Sequence, residues 1–493
     1  MTLKRLPLLL SFLLILVVAG PSTARAQPIH TGFVDNAAFY NVDPETGRGW
    51  LEKARGIGAK YIRINVYWDT IAPAERSSGF EPADPGSPGY DWDLLDQSIK
   101  STVENDMVPI LMAFNAPRWA EGPNRDPFAR AGSWKPDPEQ FAAFGKALAR
   151  RYNGTHPDPY QPGSDLPKVK YLQAWNEANL VQYLNPQAEN GHITSPDRYR
   201  KLLNRFYGAV KSVSPDVQIL AAGLAPLGGP IGVSTAPLRF LRRMTCLRPT
   251  LKPKAKCEGF IKADILDIHP YTTGGPTHKA LGSKDNVALG DLAELEATAR
   301  AADRYRKIRG AKGQTRLWAT EFSWDTRPPD PGGLPMWLAK RWTAEALFRM
   351  WDAGISVMTW ASIVDAPSPD SELLWGYPGH AGFYFHALNP ADARKKGSYQ
   401  AFRFPFVAFR TARGYRFWGR TPDSKGGKVR IQQNSGSGWR SIVKVKANRY
   451  GVFTRRIRAR NRTGRVRAIY AGTTAIPFSL KNVPDKYYKP FGG

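Results

Sequence analysis

Cysteine is nearly absent from this 493-residue chain, which holds only Cys246 and Cys257. Neither has a histidine or asparagine partner placed near it, which argues against thiol catalysis. In an oxidising compartment the two fit one disulfide closing a short, lysine-rich loop, with two free thiols as the alternative. Histidine is scarce too: 7 copies lie scattered, with no H-E-x-x-H and no close Asp/His cluster. Metal catalysis therefore finds no support, and neither a metal nor a cofactor is expected. The chain lacks a Walker A loop and a G-x-S-x-G elbow, which sets aside P-loop and α/β-hydrolase chemistry. After the N-terminal segment no apolar run is long enough to cross a bilayer. Acidic residues are rare near the end: residues 411–493 carry 20 Lys and Arg against Asp423 and Asp485, so +18 of the total +28 sits there.

What is present begins with an export signal. Lys4 and Arg5 precede an apolar run from Leu6 to Ala19, and Ala24-Arg25-Ala26 forms an A-x-A cleavage site before Gln27. Residues 1–26 read as a signal peptide, and the expected destination is extracellular or the cell wall; an uncleaved anchor is the weaker alternative. A hydrophobic content of 42% over 493 residues supports a large core and more than one domain. The 15 tryptophans suit either stacking on sugar rings or the core of a large barrel.

From Ile29 onward, short β-rich runs alternate with amphipathic stretches. Strands are predicted at Ile29–Asn36, Lys60–Tyr67, Val108–Asn115, Val169–Asn176, Val217–Gly223, Asp264–His269, Arg316–Glu321 and Val357–Ala361. Helices are predicted at Asp93–Glu104, Pro138–Tyr152, Pro196–Val213, Leu292–Ile308 and Leu338–Trp351, with Ser398–Thr411 as the eighth and last. Asp137 before Pro138 and Ser195 before Pro196 read as caps ahead of an N1 proline. This is the count of a (β/α)8 TIM barrel. A doubly wound sheet would carry a glycine-rich turn after its first strand, and Val34-Asp35-Asn36-Ala37-Ala38 is not one. Long loops at Ala72–Tyr90, Val181–Thr194, Ala225–Lys262, Asp325–Pro335 and Asp365–Lys396 are expected to build a cleft. Residues 27–410 form the expected barrel domain. Residues 411–493 form a basic all-β, sandwich-like accessory domain, with strands at Lys428–Gln433, Trp439–Lys446, Gly451–Arg458, Gly464–Tyr470 and Thr474–Leu480.

Two predicted strands run into glutamates. Lys170–Trp175 leads into Asn176-Glu177, and Arg316–Thr320 leads into Glu321. Carboxylates after the fourth and seventh strands face each other across a barrel mouth. One protonated and one ionised carboxyl about 5–5.5 Å apart is the equipment for retaining glycoside hydrolysis. The neighbours suit this division. Asn176 offers an amide to a sugar hydroxyl, and Arg63 can pair with Glu321 and keep it ionised. His269 and Tyr271 follow the sixth strand, where a tyrosine hydroxyl can orient Glu321. Trp360 ends the eighth strand and can floor a sugar subsite, and Trp119, Trp324 and Trp375 lie in loops that can extend it. Each residue alone has a plainer reading: a salt-bridged loop glutamate, a satisfied core histidine, a core ion pair. The combination is what points to chemistry.

Trp175-Asn176-Glu177-Ala178-Asn179 resembles the W-N-E-P-N motif of the clan A glycoside hydrolases, as in families 5 and 39. Ala319-Thr320-Glu321-Phe322-Ser323-Trp324 resembles their T-E-x-x-W nucleophile segment, and Arg63, His269-Pro270-Tyr271 and Trp360 fall on matching strands. The resemblance spans roughly residues 28–410. It implies Glu177 as acid/base, Glu321 as nucleophile, net retention and a carbohydrate substrate. Two departures stand out: Ala178 replaces the proline, and the third strand ends in Phe114-Asn115-Ala116 where family 5 enzymes often carry a histidine. The basic C-terminal region makes an anionic wall or surface polymer a candidate partner. Nucleic acid is disfavoured because no reader motif accompanies the charge. The competing function is a cell-surface glycan-binding protein with a non-catalytic barrel.

Overall fold

Eight parallel strands, each followed by a helix, close on themselves in a computed structural model that describes residues 27–40, 42–310, 312–367, 379–459 and 461–481. The proposed export signal and Trp375 lie outside those residues. The strands are β1 (His30–Val34), β2 (Tyr61–Tyr67), β3 (Val108–Phe114), β4 (Tyr171–Asn176), β5 (Gln218–Gly223), β6 (Ile265–Asp267), β7 (Arg316–Ala319) and β8 (Ile355–Trp360). Neighbours pair in chain order, and β8 closes the barrel on β1 through His30 opposite Val357 and Phe33 opposite Trp360. The TIM barrel is the predicted one, and every strand lies within a few residues of its predicted place.

The outer helices are α1 (Pro44–Gly56), α2 (Asp93–Glu104), α3 (Pro138–Arg151), α4 (Ser195–Val213), α5 (Pro237–Met244), α6 (Leu292–Arg304), α7 (Met336–Asp352) and α8 (Tyr399–Arg403). Local sequence explains their starts. Asp43 accepts the Thr46 amide at 3.0 Å ahead of Pro44, and Asp137 accepts the Glu139 and Gln140 amides at 2.8 and 3.0 Å ahead of Pro138. Ser195, read as a cap, is instead the first residue of α4, and its hydroxyl donates to Gln187 Oε1 at 2.8 Å. The predicted apolar stripe of α4 (Tyr199, Leu202, Leu203, Phe206, Val210) is wholly buried. A Cβ on Gly145 of α3 would stand 2.5 Å from the Phe206 ring, so glycine lets these two helices meet. Cys246 and Cys257 form a disulfide, with 5.7 Å between their Cα atoms.

The barrel lumen is stratified. Tyr61, Ile110, Leu220, Ile265, Trp318 and Val357 form an apolar cluster separate from the main core. One inward step further along the strands stand Arg63, Gln173, Asp267 and Thr320, all buried. Inward positions alternate with positions facing the helices, so one strand can serve both layers.

Three expectations are corrected. Helices α1 and α5 are additional to the predicted set, α5 lying within the loop predicted for Ala225–Lys262. The eighth helix is short: only Tyr399–Arg403 is helical, because Pro405 lacks an amide proton and disfavours helix in the residue before it. Residues Phe406–Thr411, predicted to finish that helix, are strand β9, which opens the C-terminal sheets ahead of the expected boundary at 411. Two antiparallel sheets follow. One has the order β9, β10 (Gly414–Arg420), β13 (Val452–Arg458). The other has β12 (Trp439–Ala447), β11 (Gly427–Asn434), β14 (Arg465–Tyr470), β15 (Thr473–Thr474), with β16 (Phe478–Ser479) also on β14. This unit grips the end of the barrel where the strands begin. Arg420, fully buried, donates to Ile29 O at 3.0 Å and Thr31 Oγ1 at 3.1 Å, and Arg416 pairs with Asp352 at the end of α7.

Candidate active site

At the opposite end, the strand termini deliver polar side chains to one point. Residues two apart on a strand share a face, so β2 presents Arg63 and Asn65 together, and β6 leads from Asp267 to His269. At the end of β4 the chain turns sharply, with left-handed φ values of 75° at Trp175 and 35° at Glu177. Such backbone costs on the order of 1–3 kcal/mol per residue and is held only where the surroundings fix it. Here the Trp175 indole donates to Tyr183 O at 2.8 Å, and the Glu177 amide donates to Gly223 O at 3.0 Å. Gly223 is obligatory for another reason: a Cβ there would lie 2.0 Å from His269 Nε2 and 2.5 Å from Asp267 Oδ2.

Arg63 organises the mouth. Its guanidinium donates to Glu321 Oε1 at 2.6 Å, Asn176 Oδ1 at 2.8 Å, Asn65 Oδ1 at 3.0 Å and Gln173 Oε1 at 3.0 Å. Arginine only donates, so the amides of Asn176 and Gln173 are fixed with oxygen toward it. Gln173 then donates to Asp267 Oδ2 at 2.9 Å, and Asn176 keeps its NH2 group for another partner. Asp267 also accepts the Thr320 amide at 2.9 Å and the Thr320 hydroxyl, which locks the residue preceding Glu321. His269 places Nδ1 3.0 Å from Glu177 Oε1 and 3.6 Å from Glu321 Oε2, and Nε2 3.2 Å from Thr320 Oγ1. Tyr271 donates to Glu321 Oε2 at 3.4 Å. Glu177, His269 and Glu321 each bring one ligand-capable atom within 4.8 Å of the others.

Electrostatics separate these groups. Burial pushes the Glu177 carboxyl above its ordinary range, opposed by the His269 contact and assisted by the charge of Glu321. Burial alone would lower His269, but the Glu321 charge and the contacts with Asp267 and Glu177 outweigh it and push the imidazole up to about 10. An imidazolium donates from both nitrogens, which matches the acceptors on either side of it. Among the described residues, Glu177, His269 and Glu321 are the one cluster with the spacing to hold a cation.

These groups open into a cavity of about 1580 Å³ lined by Asn176, Glu177, Tyr271 and Glu321, with Tyr67 and Tyr183 on its walls. Arg63 and His269 stand directly beneath, fully buried. The expected tryptophan platforms are corrected. Trp360 and Trp324 are buried, with indole N–H groups satisfied by Ala381 O at 2.7 Å and Gly274 O at 3.2 Å. Trp119 is bonded to Pro73 O at 2.8 Å and packs edge-on to Trp68. All three pack behind the loops, and none lines the cavity. The aromatic residues that do line it include Tyr67, Phe114, Tyr183, Tyr271 and Trp50.

Asn65, Gln173, Asp267 and Thr320 are parts of the network that did not stand out in the sequence. A signal existed: each is a polar residue within a buried strand run, and Asn65 and Asp267 lie two residues from Arg63 and His269. Asp35, just after β1, is a further buried polar residue outside that network. It lines the cavity, accepts the amides of Ala38 and Ile363, and is pushed by burial up to about 6.

No protein-family model matches the chain, and no curated protein matches it in sequence. Solved structures do match in fold. A family 39 glycoside hydrolase from the gut symbiont Bacteroides cellulosilyticus WH2 superposes with a TM-score of 0.52 at 17% identity, covering 85% of this chain and 79% of that one. A glucosidase from Croceicoccus marinus (TM-score 0.44, 13% identity, 87% and 92% covered) and a GH30 endoxylanase from Clostridium papyrosolvens C71 (0.44, 10%, 88% and 94%) are also similar. The chain shares its TIM-barrel fold with that family 39 glycoside hydrolase. At these identities the likeness is one of fold.

Proposed function

We propose that this protein is an exported, retaining O-glycoside hydrolase acting on an oligo- or polysaccharide. The observation that carries the reading is the pairing of two carboxylates, with oxygens within 4.8 Å, in unequal surroundings at the barrel mouth. That spacing suits direct attack by one carboxylate; inverting enzymes need roughly 6.5–9.5 Å to admit a water between the groups. Glu321, held by Arg63 and Tyr271, attacks the anomeric carbon as the bond to the leaving oxygen breaks. Glu177, whose carboxyl burial pushes above its ordinary range, gives its proton to that oxygen, and the aglycone departs as an alcohol. The resulting Glu177 carboxylate takes a proton from water. The water oxygen displaces Glu321 from the anomeric carbon, and the second inversion restores the starting configuration. The Asn176 NH2 group, free once Arg63 has engaged its oxygen, suits a sugar hydroxyl beside the reacting carbon. Export rests on the N-terminal sequence.

Intact-mass spectrometry after incubation with 2-deoxy-2-fluoro glycosides of several pentoses and hexoses tests this. The parent chain is expected to gain one glycosyl mass, and a folded Glu321→Gln variant none. Labelling of both alike, or neither labelling nor hydrolysis by the folded parent across the panel, would overturn the reading. The second outcome would favour a glycan-binding barrel.

A further inference from the structure

The sheet built on β11, β12 and β14 has two unlike faces. Val429, Ile431, Val445, Ala447, Val466 and Ala468 are buried against the rest of the domain. The alternating positions are cationic: Lys428, Arg430, Lys444, Lys446 and Arg465 are exposed and Arg467 is half-buried. The register sets like charges side by side, with Lys428 opposite Lys446 and Arg430 opposite Lys444. On the other flank Gln432 faces Arg467 and Asn434 faces Arg465. Strands about 4.8 Å apart, with same-face residues about 6.7 Å apart, gather six cations into a patch on the order of 10 by 20 Å. Like charges directly opposite destabilise a strand pair. Among the described residues, none of the six pairs with an acidic side chain. The face therefore carries a repulsion that a polyanion laid across it would relieve.

We propose that this face is a docking surface for an acidic polysaccharide, a glycan bearing carboxylate or sulfate groups along its length. Its chemistry disfavours the other polyanions. Single-stranded nucleic acid is held by open aromatic platforms, and the aromatic ring here, Trp439, lies under the Arg467 guanidinium at 4.1 Å. Duplex recognition uses an element that enters a groove, and this face is a flat sheet. No exposed large apolar side chain stands on it to enter a bilayer. The domain grips the barrel at the start of β1, away from the cavity. Polymer bound there tethers the molecule and leaves the cleft open. The choice of a glycan among polyanions rests on the glycosidase reading; the cationic face itself does not.

Calorimetric titration of the full chain carrying Glu321→Gln, so that no probe is consumed, tests the proposal. The probes are polygalacturonate, a sulfated galactan, neutral mannan, single- and double-stranded DNA, and phosphatidylcholine vesicles with phosphatidylglycerol. Acidic glycans are expected to bind, with affinity falling steeply as salt is added, and mannan is not expected to bind at this face. Lys428→Ser/Arg430→Ser/Lys444→Ser/Lys446→Ser together should weaken binding at least about tenfold while keeping or raising the melting temperature. If that variant misfolds, the single opposed pair Lys428→Ser/Lys446→Ser serves, with a smaller loss expected. No binding of acidic glycan at low salt, unchanged binding by the folded variant, or tighter binding of DNA or vesicles would overturn it. Because the binding chain is inactive by construction, an inactive barrel leaves this result readable. Conversely, hydrolysis of small neutral glycosides by the fourfold variant with Glu321 intact reads the glycosidase proposal separately.

Discussion

The two ends of the barrel lumen are built on the same strands and obey opposite rules. On β2, Tyr61 belongs to the apolar floor while Arg63, two residues on, is bonded to Glu321, Asn176, Asn65 and Gln173. On β6 the same step leads from Ile265 to Asp267, and on β7 from Trp318 to Thr320. A rise of about 6.7 Å along these three strands turns an apolar plug into a hydrogen-bonded polar array. The floor is an apolar cluster that stabilises by excluding water. The mouth is buried almost as deeply, and its groups hold one another through hydrogen bonds that fix position and hydrogen-bond polarity. Fixed charges in a dry, preorganised site are what transition-state stabilisation requires. Substitutions at the two ends should therefore separate activity from stability.

The largest separation is expected at Glu177. Replacing it with glutamine should lower turnover of substrates with poor leaving groups by about 10²–10⁴-fold, the usual contribution of a positioned general acid. Thermal unfolding should stay at the parent temperature or rise, because burial already opposes the charged form of this carboxyl. A variant that loses stability in step with activity would mean that the mouth is structural like the floor.

The floor should respond the other way. Trp318 is 1% exposed and packs against Tyr61 and Tyr171. Trp318→Ala should cost about 3–5 kcal/mol in urea unfolding. The variant's kcat per folded molecule should change little, since the charged array rests on its own hydrogen bonds. A large fall in kcat without loss of stability would show that floor packing sets the catalytic geometry.

Much of this contrast was legible in the sequence, for physical reasons. Strand runs broken by turn residues located all eight barrel strands, and the glutamates after the fourth and seventh meet at the barrel mouth. Legibility failed where a role depends on a partner distant in the chain. Gln173 and Asp267 look like stray polar residues until the barrel brings Arg63 and His269 beside them. Trp324 and Trp360 looked like sugar platforms because composition cannot tell an indole facing the cavity from one packed behind it. At the C-terminal end, Ser398–Thr411 has an apolar pattern that suits either a helix or a strand. Pro405 ends the helix, and pairing with β10 makes Phe406–Thr411 a strand.

The smallest expected effect tests what His269 adds to the mouth. Its positive charge beside Glu177 holds that carboxyl below where burial alone would put it. In His269→Asn the opposing charge is gone, so Glu177 should keep its proton to higher pH. The basic limb of kcat/KM, where activity falls as the acid ionises, should move upward. Stability should answer separately. His269 holds its proton to about 10 in the folded chain against 6.5 ordinarily, so the folded state binds more protons between those values. Its contribution to stability is therefore complete below about pH 6.5 and declines as pH rises toward 10. The parent should lose stability across that window, and His269→Asn should lose less of it. A limb that stays in place while the stability slope flattens would make His269 a structural cation whose charge does not reach the acid. If both move, the imidazolium serves fold and chemistry together.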